Sequence, residues 1–285
     1  LEIINDIYIN KTYGKNQDII IEERLYGEEV SLMGFCNGNE IFLLPQCQDF
    51  KKLNDNNKGP NTGGMGAYCP ANILNKVELL ELKKSMDLIV KKLNYVGILY
   101  AGVMKTSKDI NSKYNILEFN CRFGDPECQV LLNMLENDLY ETMLKCINRE
   151  PLELKFKNTF CNNVVLSHND YPYKKSNELF ELYMNYNEEN LLKYKIKIYG
   201  GNIKTILNKY YSNGGRIMSI VSCDDSLYKT INNCYNFIKY IDYSNIYYRK
   251  DIGIRKCLSY ESKKSKNIAI LSSGTGNSAL KLIEL

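Results

Sequence analysis

Glu118-Phe119-Asn120-Cys121-Arg122-Phe123-Gly124-Asp125-Pro126-Glu127 follows a run, Tyr114-Asn115-Ile116-Leu117, that reads as a buried strand. Residues two apart on a strand share a face, so Glu118 and Asn120 present their oxygens side by side while Phe119 turns to the other face. One anionic and one neutral oxygen suit Mg²⁺, which takes few protein ligands and leaves its other positions to water and phosphate. Arg122, two residues on, carries several N–H donors that match a phosphate. A strand end with a capping Asn and a surface ion pair accounts for the same ten residues, and spacing alone leaves both readings open.

A second segment, Lys58-Gly59-Pro60-Asn61-Thr62-Gly63-Gly64-Met65-Gly66-Ala67-Tyr68, packs four glycines into eight residues. Glycine permits close backbone approach to a ligand, and a run of free N–H groups cradles anions. A flexible surface loop is the plainer reading. Pro60 and the interleaved Thr62, Met65 and Tyr68 are unlike a Gly/Ser linker, and favour an ordered loop that closes on a substrate.

With these two segments the chain resembles the phosphoribosylamine–glycine ligase family, the glycinamide ribonucleotide synthetases, which are ATP-grasp enzymes of purine biosynthesis. Further matching blocks are Ile21-Glu22-Glu23-Arg24-Leu25-Tyr26-Gly27-Glu28-Glu29-Val30-Ser31, Gln48-Asp49-Phe50-Lys51-Lys52, Gly97-Ile98-Leu99-Tyr100-Ala101-Gly102 and Tyr248-Arg249-Lys250-Asp251-Ile252-Gly253, with a weaker one at Gly214-Gly215-Arg216. The blocks stand in the family's order. The resemblance starts in mid-domain, at about residue 15. It therefore implies a fragment that lacks the family's phosphate-binding lysines and is inactive in isolation.

The resemblance implies an α+β fold: an ATP-grasp second subdomain over residues 1–150, then a small α+β C-terminal domain over 151–258. It implies ligation of glycine to 5-phosphoribosylamine with ATP and Mg²⁺ or Mn²⁺, through a glycyl phosphate. It also implies roles. Glu118 and Asn120 hold the metal, and Arg122 and Asp125 serve catalysis. Glu22, Glu23 and Leu25 form the adenine hinge, Glu29 meets the ribose and Met104 packs on the adenine. Asp49, Gly63, Gly64, Met65, Gly66 and Asp125 hold the substrates. Met104 reads equally well as a core residue on a strand. Another ATP-grasp carboxylate–amine ligase, or an inactive nucleotide-binding fragment, is the alternative.

Composition agrees with a globular enzyme of two domains: 285 residues, 44% hydrophobic and 25% charged. Thirty-seven basic and 33 acidic residues leave a net charge of +4. That balance argues against nucleic acid or an anionic membrane surface as partner. No apolar run approaches the roughly 18 residues of a membrane span. Ten cysteines without a CxxC pair, beside the single His168, argue against a zinc site. Free thiols and a cytoplasmic location are expected. His168, with no partner motif, reads as structural or surface.

Local patterning predicts the elements. Gln17–Glu22 reads as a short strand, and Val30–Cys36 and Glu40–Pro45 as a hairpin about Asn37-Gly38. Lys76–Leu93 carries Val77, Leu80, Met86, Ile89, Val90 and Leu93 near helical period. Val96–Lys105 and Tyr114–Asn120 read as paired strands, and Glu127–Asn148 as one helix or two. A boundary is expected near Arg149-Glu150-Pro151, after which Phe160–Ser167 opens the second domain. There Ile198-Tyr199-Gly200-Gly201-Asn202 replaces a Phe-His-Ala-Gly-Thr-like family stretch, which leaves that stretch's contacts in question. Residues 259–266 read as a polar linker. Residues 267–285 then read as the strand and glycine turn that open a Rossmann-like unit, resembling the start of glycinamide ribonucleotide formyltransferase, or as a lone glycine turn. Fusion to other purine-pathway domains is thereby implied.

Overall fold

The computed structural model describes residues 2–11, 14, 19–106, 114–173, 179–242 and 245–264. Its elements run α1 (Glu2–Tyr8), β1 (Glu28–Asn37), β2 (Ile41–Leu43), β3 (Gln48–Asp49), β4 (Lys52–Asn54), β5 (Lys58–Asn61), β6 (Gly66–Cys69), α2 (Lys76–Leu93), β7 (Val96–Lys105), β8 (Tyr114–Asn120), α3 (Glu127–Met134) and α4 (Leu139–Ile147). Then follow β9 (Phe160–His168), β10 (Phe180–Glu181), β11 (Tyr183–Met184), α5 (Glu188–Lys193), β12 (Ile196–Gly200), β13 (Ile203–Ile206), β14 (Lys209–Ser212), β15 (Arg216–Asp224), α6 (Leu227–Ile238), β16 (Ile241–Asp242), β17 (Ile246–Tyr247) and α7 (Ile254–Lys264). The expected α+β class holds.

Two sheets organise these elements. The first is antiparallel in the order β2-β1-β7-β8. Its central strand β1 is buried on both faces because its side chains alternate between two cores. Val30, Leu32 and Cys36 pack with Leu82, Met86 and Val90 of α2. Met33 and Phe35 pack with Val130, Leu131 and Met134 of α3. The second sheet runs β12-β15-β9-β6-β3, with β17 also on β9, and takes α6 against one face in a core built on Val164, Ile220, Cys234 and Phe237. Strands β3 and β6 come from before the boundary expected at 149–151 and β9 from after it, so one sheet spans that point.

Helix α2 keeps its expected limits because both ends are capped: Asn75 and Glu78 form a capping box, and Asn94 closes the helix in the left-handed region at φ 50°. Its buried stripe is Glu78, Leu82, Met86 and Val90, whereas the expected Val77 and Leu80 are exposed. Glu78 is buried but not unpaired: Lys105 Nζ meets it at 2.8 Å and offsets part of the cost of desolvating the carboxylate.

The structure corrects several expectations. Residues 19–22 are not a strand, and Ile20 and Ile21 are 84% and 87% exposed. No described strand lies beside them, and an unpaired strand has no partners for its backbone groups. The run before Glu118 is not buried: β8 is the sheet edge, with Ile116, Leu117 and Phe119 37–41% exposed. The Gly-rich segment is only partly a loop, since Gly66–Cys69 is a fully buried strand between β3 and β9. The expected linker is helical through Lys264. Cys161 and Cys223, opposite each other on β9 and β15, form a disulfide, so not every thiol is free. The rest of the linker and the Rossmann-like unit expected over 267–285 lie outside the described residues.

Candidate functional site

The face of the first sheet that carries Ser31, Met33 and Phe35 is also the face that collects the expected site. Register settles this: Glu29 stands opposite Met104, Ser31 opposite Gly102, and Met33 opposite Tyr100. On the far side of β7, Glu118 stands opposite Gly102 and Asn120 opposite Tyr100. Glu29, Met104, Glu118 and Asn120 therefore line one surface. The Asn120 amide donates to Glu118 Oε1 at 3.3 Å, as expected of same-face neighbours. Gly102 leaves room beneath Glu118, since a Cβ there would come 3.3 Å from Glu118 Cγ.

Lys51, just past β3, reaches across this surface. Its ammonium pairs with Glu29 and lies 4.0 Å from Glu118. Burial opposes the Lys51 charge, but the Glu29 carboxylate outweighs it and holds the pKa above the usual lysine value. Two residues back, Asp49 is held well above the usual carboxylate range, first by burial and then by the charge of Glu127; Lys51 and Arg216 pull it the other way. Asp49 Oδ1 is buried with no hydrogen-bond partner. Glu127 is buried as well, and accepts from Ser31 Oγ at 2.9 Å.

The turn after β8 brings in the remaining groups. Asn163 of β9 donates to the Pro126 carbonyl at 3.0 Å and anchors the turn. Arg216 Nη1 donates to the carbonyls of Gly63 at 2.8 Å and Asp125 at 2.7 Å, and Nη2 to Asp125 Oδ2 at 2.8 Å. Tyr171 Oη accepts from the Gly63 N–H at 2.7 Å. Gly64 has φ +108°, and a Cβ there would lie 2.3 Å from Pro126 Cδ and 2.6 Å from Asp49 Oδ1. Only glycine lets the 62–64 turn lie against both. Beside Arg216 opens a cleft of about 660 Å³ lined by Asp125, Tyr171, Tyr199, Gly201, Asn202 and Asn213, among others. The divergent Ile198–Asn202 stretch thus contributes to its wall.

Not every expected residue joins this arrangement. Glu22 and Glu23 are exposed in irregular chain, with Leu25 half-buried beside them. Arg122 is exposed and donates to the Phe123 carbonyl at 2.8 Å. Met65 is in the core, and Gly66 is held in β6 where a Cβ would come 2.5 Å from the Asn163 carbonyl; these two are structural neighbours of the site, not its lining. His168 is buried in β9 and accepts from the Asp170 N–H at 3.2 Å, a structural position. Sequence reasoning missed Arg216, Tyr171 and the bridging role of Lys51. The Gly214-Gly215-Arg216 block and the Gln48–Lys52 block were the available signals for Arg216 and Lys51.

Among the described residues no cluster of three or more His, Cys, Asp or Glu forms a metal cage. Two adjacent oxygen donors nevertheless fit a hard cation whose other positions come from phosphate and water, once the Asn120 amide turns its oxygen toward Glu118.

Two models of one family match the chain: "Phosphoribosylglycinamide synthetase, ATP-grasp (A) domain" over residues 1–128, and "Phosphoribosylglycinamide synthetase, C domain" over residues 161–255. The bifunctional purine biosynthetic protein purD of Dictyostelium discoideum is 37% identical over 93% of this chain and 36% of its own length. The phosphoribosylamine–glycine ligase of Leptospira interrogans is 34% identical over 88% of this chain and 59% of its own length. The crystal structure of phosphoribosylamine–glycine ligase from Thermotoga maritima superposes with TM-score 0.67 at 28% identity, covering 81% of this chain and 56% of that one. The chain thus spans between about a third and six tenths of the length of these relatives.

Proposed function

Because the chain belongs to the phosphoribosylglycinamide synthetase family, we propose that the protein ligates glycine to 5-phosphoribosylamine, consuming ATP and giving glycinamide ribonucleotide, ADP and phosphate. The observation that carries the reading is the single surface on which Glu29, Met104, Glu118 and Asn120 meet, with Lys51 bridging Glu29 to Glu118 and the partnerless Asp49 oxygen nearby.

A carboxylate does not acylate an amine at neutral pH, and phosphoryl transfer from ATP activates it as glycyl phosphate. The protein's contribution is positioning and charge stabilisation. Glu118 and Asn120 would hold Mg²⁺ or Mn²⁺, which would supply positive charge to offset that of the phosphates. Met104 packs against the adenine, Glu29 accepts from the ribose, and the main chain at Glu22, Glu23 and Leu25 reads the base edge. Arg122 is free to swing its guanidinium from the Phe123 carbonyl to a phosphate. Asp49 offers its unpartnered oxygen to a substrate ammonium, whose arrival offsets the burial and the Glu127 charge that now raise its pKa. Gly64 lies against Asp49 and Pro126, and the turn it shares with Gly63 would shield the acyl phosphate from water on that side.

The test is ATP turnover by the full-length protein with glycine and phosphoribosylamine. Glu118→Gln and Asn120→Ala each lower Mg²⁺-dependent turnover by about a hundredfold or more while the melting temperature stays put. Unchanged turnover in both variants removes the pair from the metal site. Turnover with another amino acid in place of glycine overturns the substrate assignment.

A further inference from the structure

Cys47, just before β3, Cys69 on β6, Cys161 on β9 and Cys223 on β15 form one row across the second sheet. Cys161 stands opposite both Cys69 and Cys223. The register that sets Gln48 opposite Tyr68 puts Cys47 opposite Cys69 one residue on. Directly opposite residues share a face, and all four pack in the core that α3 closes with Val130, Leu131 and Met134. Cys223 is the partly exposed end of the row, and the other three are buried.

The hydrogen-bond ladder divides this row into pairs. Along two antiparallel strands, wide hydrogen-bonded pairs alternate with narrow pairs whose Cα atoms lie about 4.5 Å apart. The Phe50 N–H donates to the Gly66 carbonyl at 2.9 Å, so 50/66 is a wide pair and 47/69, three steps along, is a narrow one. Cys47 accordingly turns its backbone the other way: its carbonyl accepts from the Ser31 N–H at 2.8 Å, and its N–H donates to the Ser31 carbonyl at 3.1 Å. The Val165 N–H donates to the Met65 carbonyl at 3.1 Å, which makes 69/161, four steps along, a wide pair. Cys161 and Cys223, with Cα atoms 4.2 Å apart, are again a narrow pair, and they carry the disulfide. The free thiols of Cys47 and Cys69 thus repeat, two strands inward, the pairing that is already bridged. A separation of about 4.5 Å is within a disulfide's reach.

We propose that the four cysteines form a disulfide relay, in which the bond held by Cys161 and Cys223 passes inward to Cys47 and Cys69, and a low-molecular-weight disulfide re-oxidises the outer pair. In the first step the Cys69 thiolate attacks Cys161 Sγ. The Cys69–Cys161 bond forms, the Cys161–Cys223 bond breaks, and Cys223 leaves as a thiolate that takes up the proton Cys69 released. Strand order sets Cys69 on the side of Cys161 away from Cys223, the line along which such a displacement runs. In the second step Cys47 attacks Cys69 Sγ, and Cys161 leaves and takes up the proton. One disulfide and two thiols become one disulfide and two thiols, with no net oxidation. Recharging the outer pair consumes one small disulfide and releases two small thiols, with Cys223 as the entry point. Burial, the Cys69 thiol and the nearby carboxylates of Glu127 and Asp49 push the Cys47 thiol up, so the second step is the slow one. The inner link ties β6 to the chain two residues before Asp49, beside the candidate site. The relay stands on the sheet's register and does not depend on the ligase reading.

The test uses the 285-residue chain, reduced, then oxidised with oxidised glutathione until one disulfide per chain has formed, and freed of glutathione. Samples taken over about a day, the scale of uncatalysed disulfide rearrangement, are acid-quenched, alkylated in denaturant, digested and mapped by mass spectrometry. The 161–223 link is expected first. The 47–69 link then grows at its expense to at least about a tenth of the molecules, since both are narrow pairs of one sheet. The thiol count stays constant, and the rate is independent of protein concentration. In Cys69→Ala the outer link forms and stays, whereas Cys36→Ala, which removes a buried cysteine outside the row, transfers like wild type. The wild-type time course decides the matter even where Cys69→Ala fails to fold. A first link anywhere but 161–223, an outer link that persists with no 47–69 link, or a rate that rises with protein concentration overturns the relay.

Discussion

Arg249 is fully buried, and its guanidinium ties the chain near 250 to the distant segment 50–57. Its guanidinium grips Asp251 through Nε at 2.7 Å and Nη2 at 2.8 Å, and it donates to the Lys52 carbonyl and to Asn57 Oδ1, both at 3.0 Å. It lies over the Phe50 ring at 4.8 Å. Asp251 in turn accepts from the Asn56 N–H at 2.8 Å. The pair pins the β4–β5 hairpin from which the Gly63–Gly64 turn emerges. Removing one member of a buried pair leaves the other's charge unpaired, so Arg249→Met lowers stability by about 3–5 kcal/mol in urea unfolding. A loss under about 1 kcal/mol would mean that water already shares the charge.

Asp251 also sets a pH dependence. Burial alone raises its pKa, but the Arg249 hydrogen bonds outweigh this and hold it below the usual carboxylate value. A depressed folded pKa gives stability that is fully present above the unfolded value of about 3.9 and is lost as pH falls through the lower folded value. The difference in urea midpoint between wild type and Asp251→Asn is therefore largest above about pH 5 and shrinks on acidification. A constant difference from pH 6 to pH 3 would falsify the linkage.

At the scale of elements, the Gly-rich segment divides where its backbone pairing begins. Gly66–Cys69 is laddered on both sides, to β3 and to β9, whereas the 62–64 turn is held by Lys51, Tyr171 and Arg216. Amide hydrogen exchange at 66–69 is expected to be slow with or without ligands. Exchange at 62–64 is expected to slow only when nucleotide and glycine are added together. Equal protection of the turn in both states ends its role as a cover. Gly64→Ala must displace Pro126 or Asp49 and adopt a strained φ. It should cost about 1–3 kcal/mol in a thermal melt and lower turnover further than that loss explains. The same ladder logic orders β7 and β8: β7 has neighbours on both sides and exchanges slowly, and the outward amides of edge strand β8 exchange faster.

For the whole molecule, the decisive feature is that β6 of the first half pairs with β9 of the second, while α3 packs between the two sheets. Splitting the halves would strip β6 of one ladder and expose the core of Ala67, Cys69, Val130 and Leu131. Unfolding of the described region should therefore be one cooperative transition. The chain has no Trp and 23 Tyr, so tyrosine emission and far-UV circular dichroism are suitable probes. Two separated transitions in urea would show that the halves fold independently.

What the sequence determined by itself is local. The Asn37-Gly38 hairpin, the span of α2, the pairing of β7 with β8 and the shared face of Glu118 and Asn120 follow from turn chemistry, capping and two- or 3.6-residue periodicity, which act over a few neighbours. Where the local signal carried no information about neighbours it misled: Tyr114–Leu117 has the residues of an inner strand but sits at an edge, and Ile20-Ile21 has strand composition without a strand beside it. Tertiary structure alone decided that Arg216 meets Gly63 across 153 residues, that Arg249 meets Lys52 across 197, and that Cys161 faces Cys223 across 62. Each of those meetings depends on which strands become neighbours. The packing of both sheets around α3 selects that arrangement, and no residue pattern along the chain encodes it at short range.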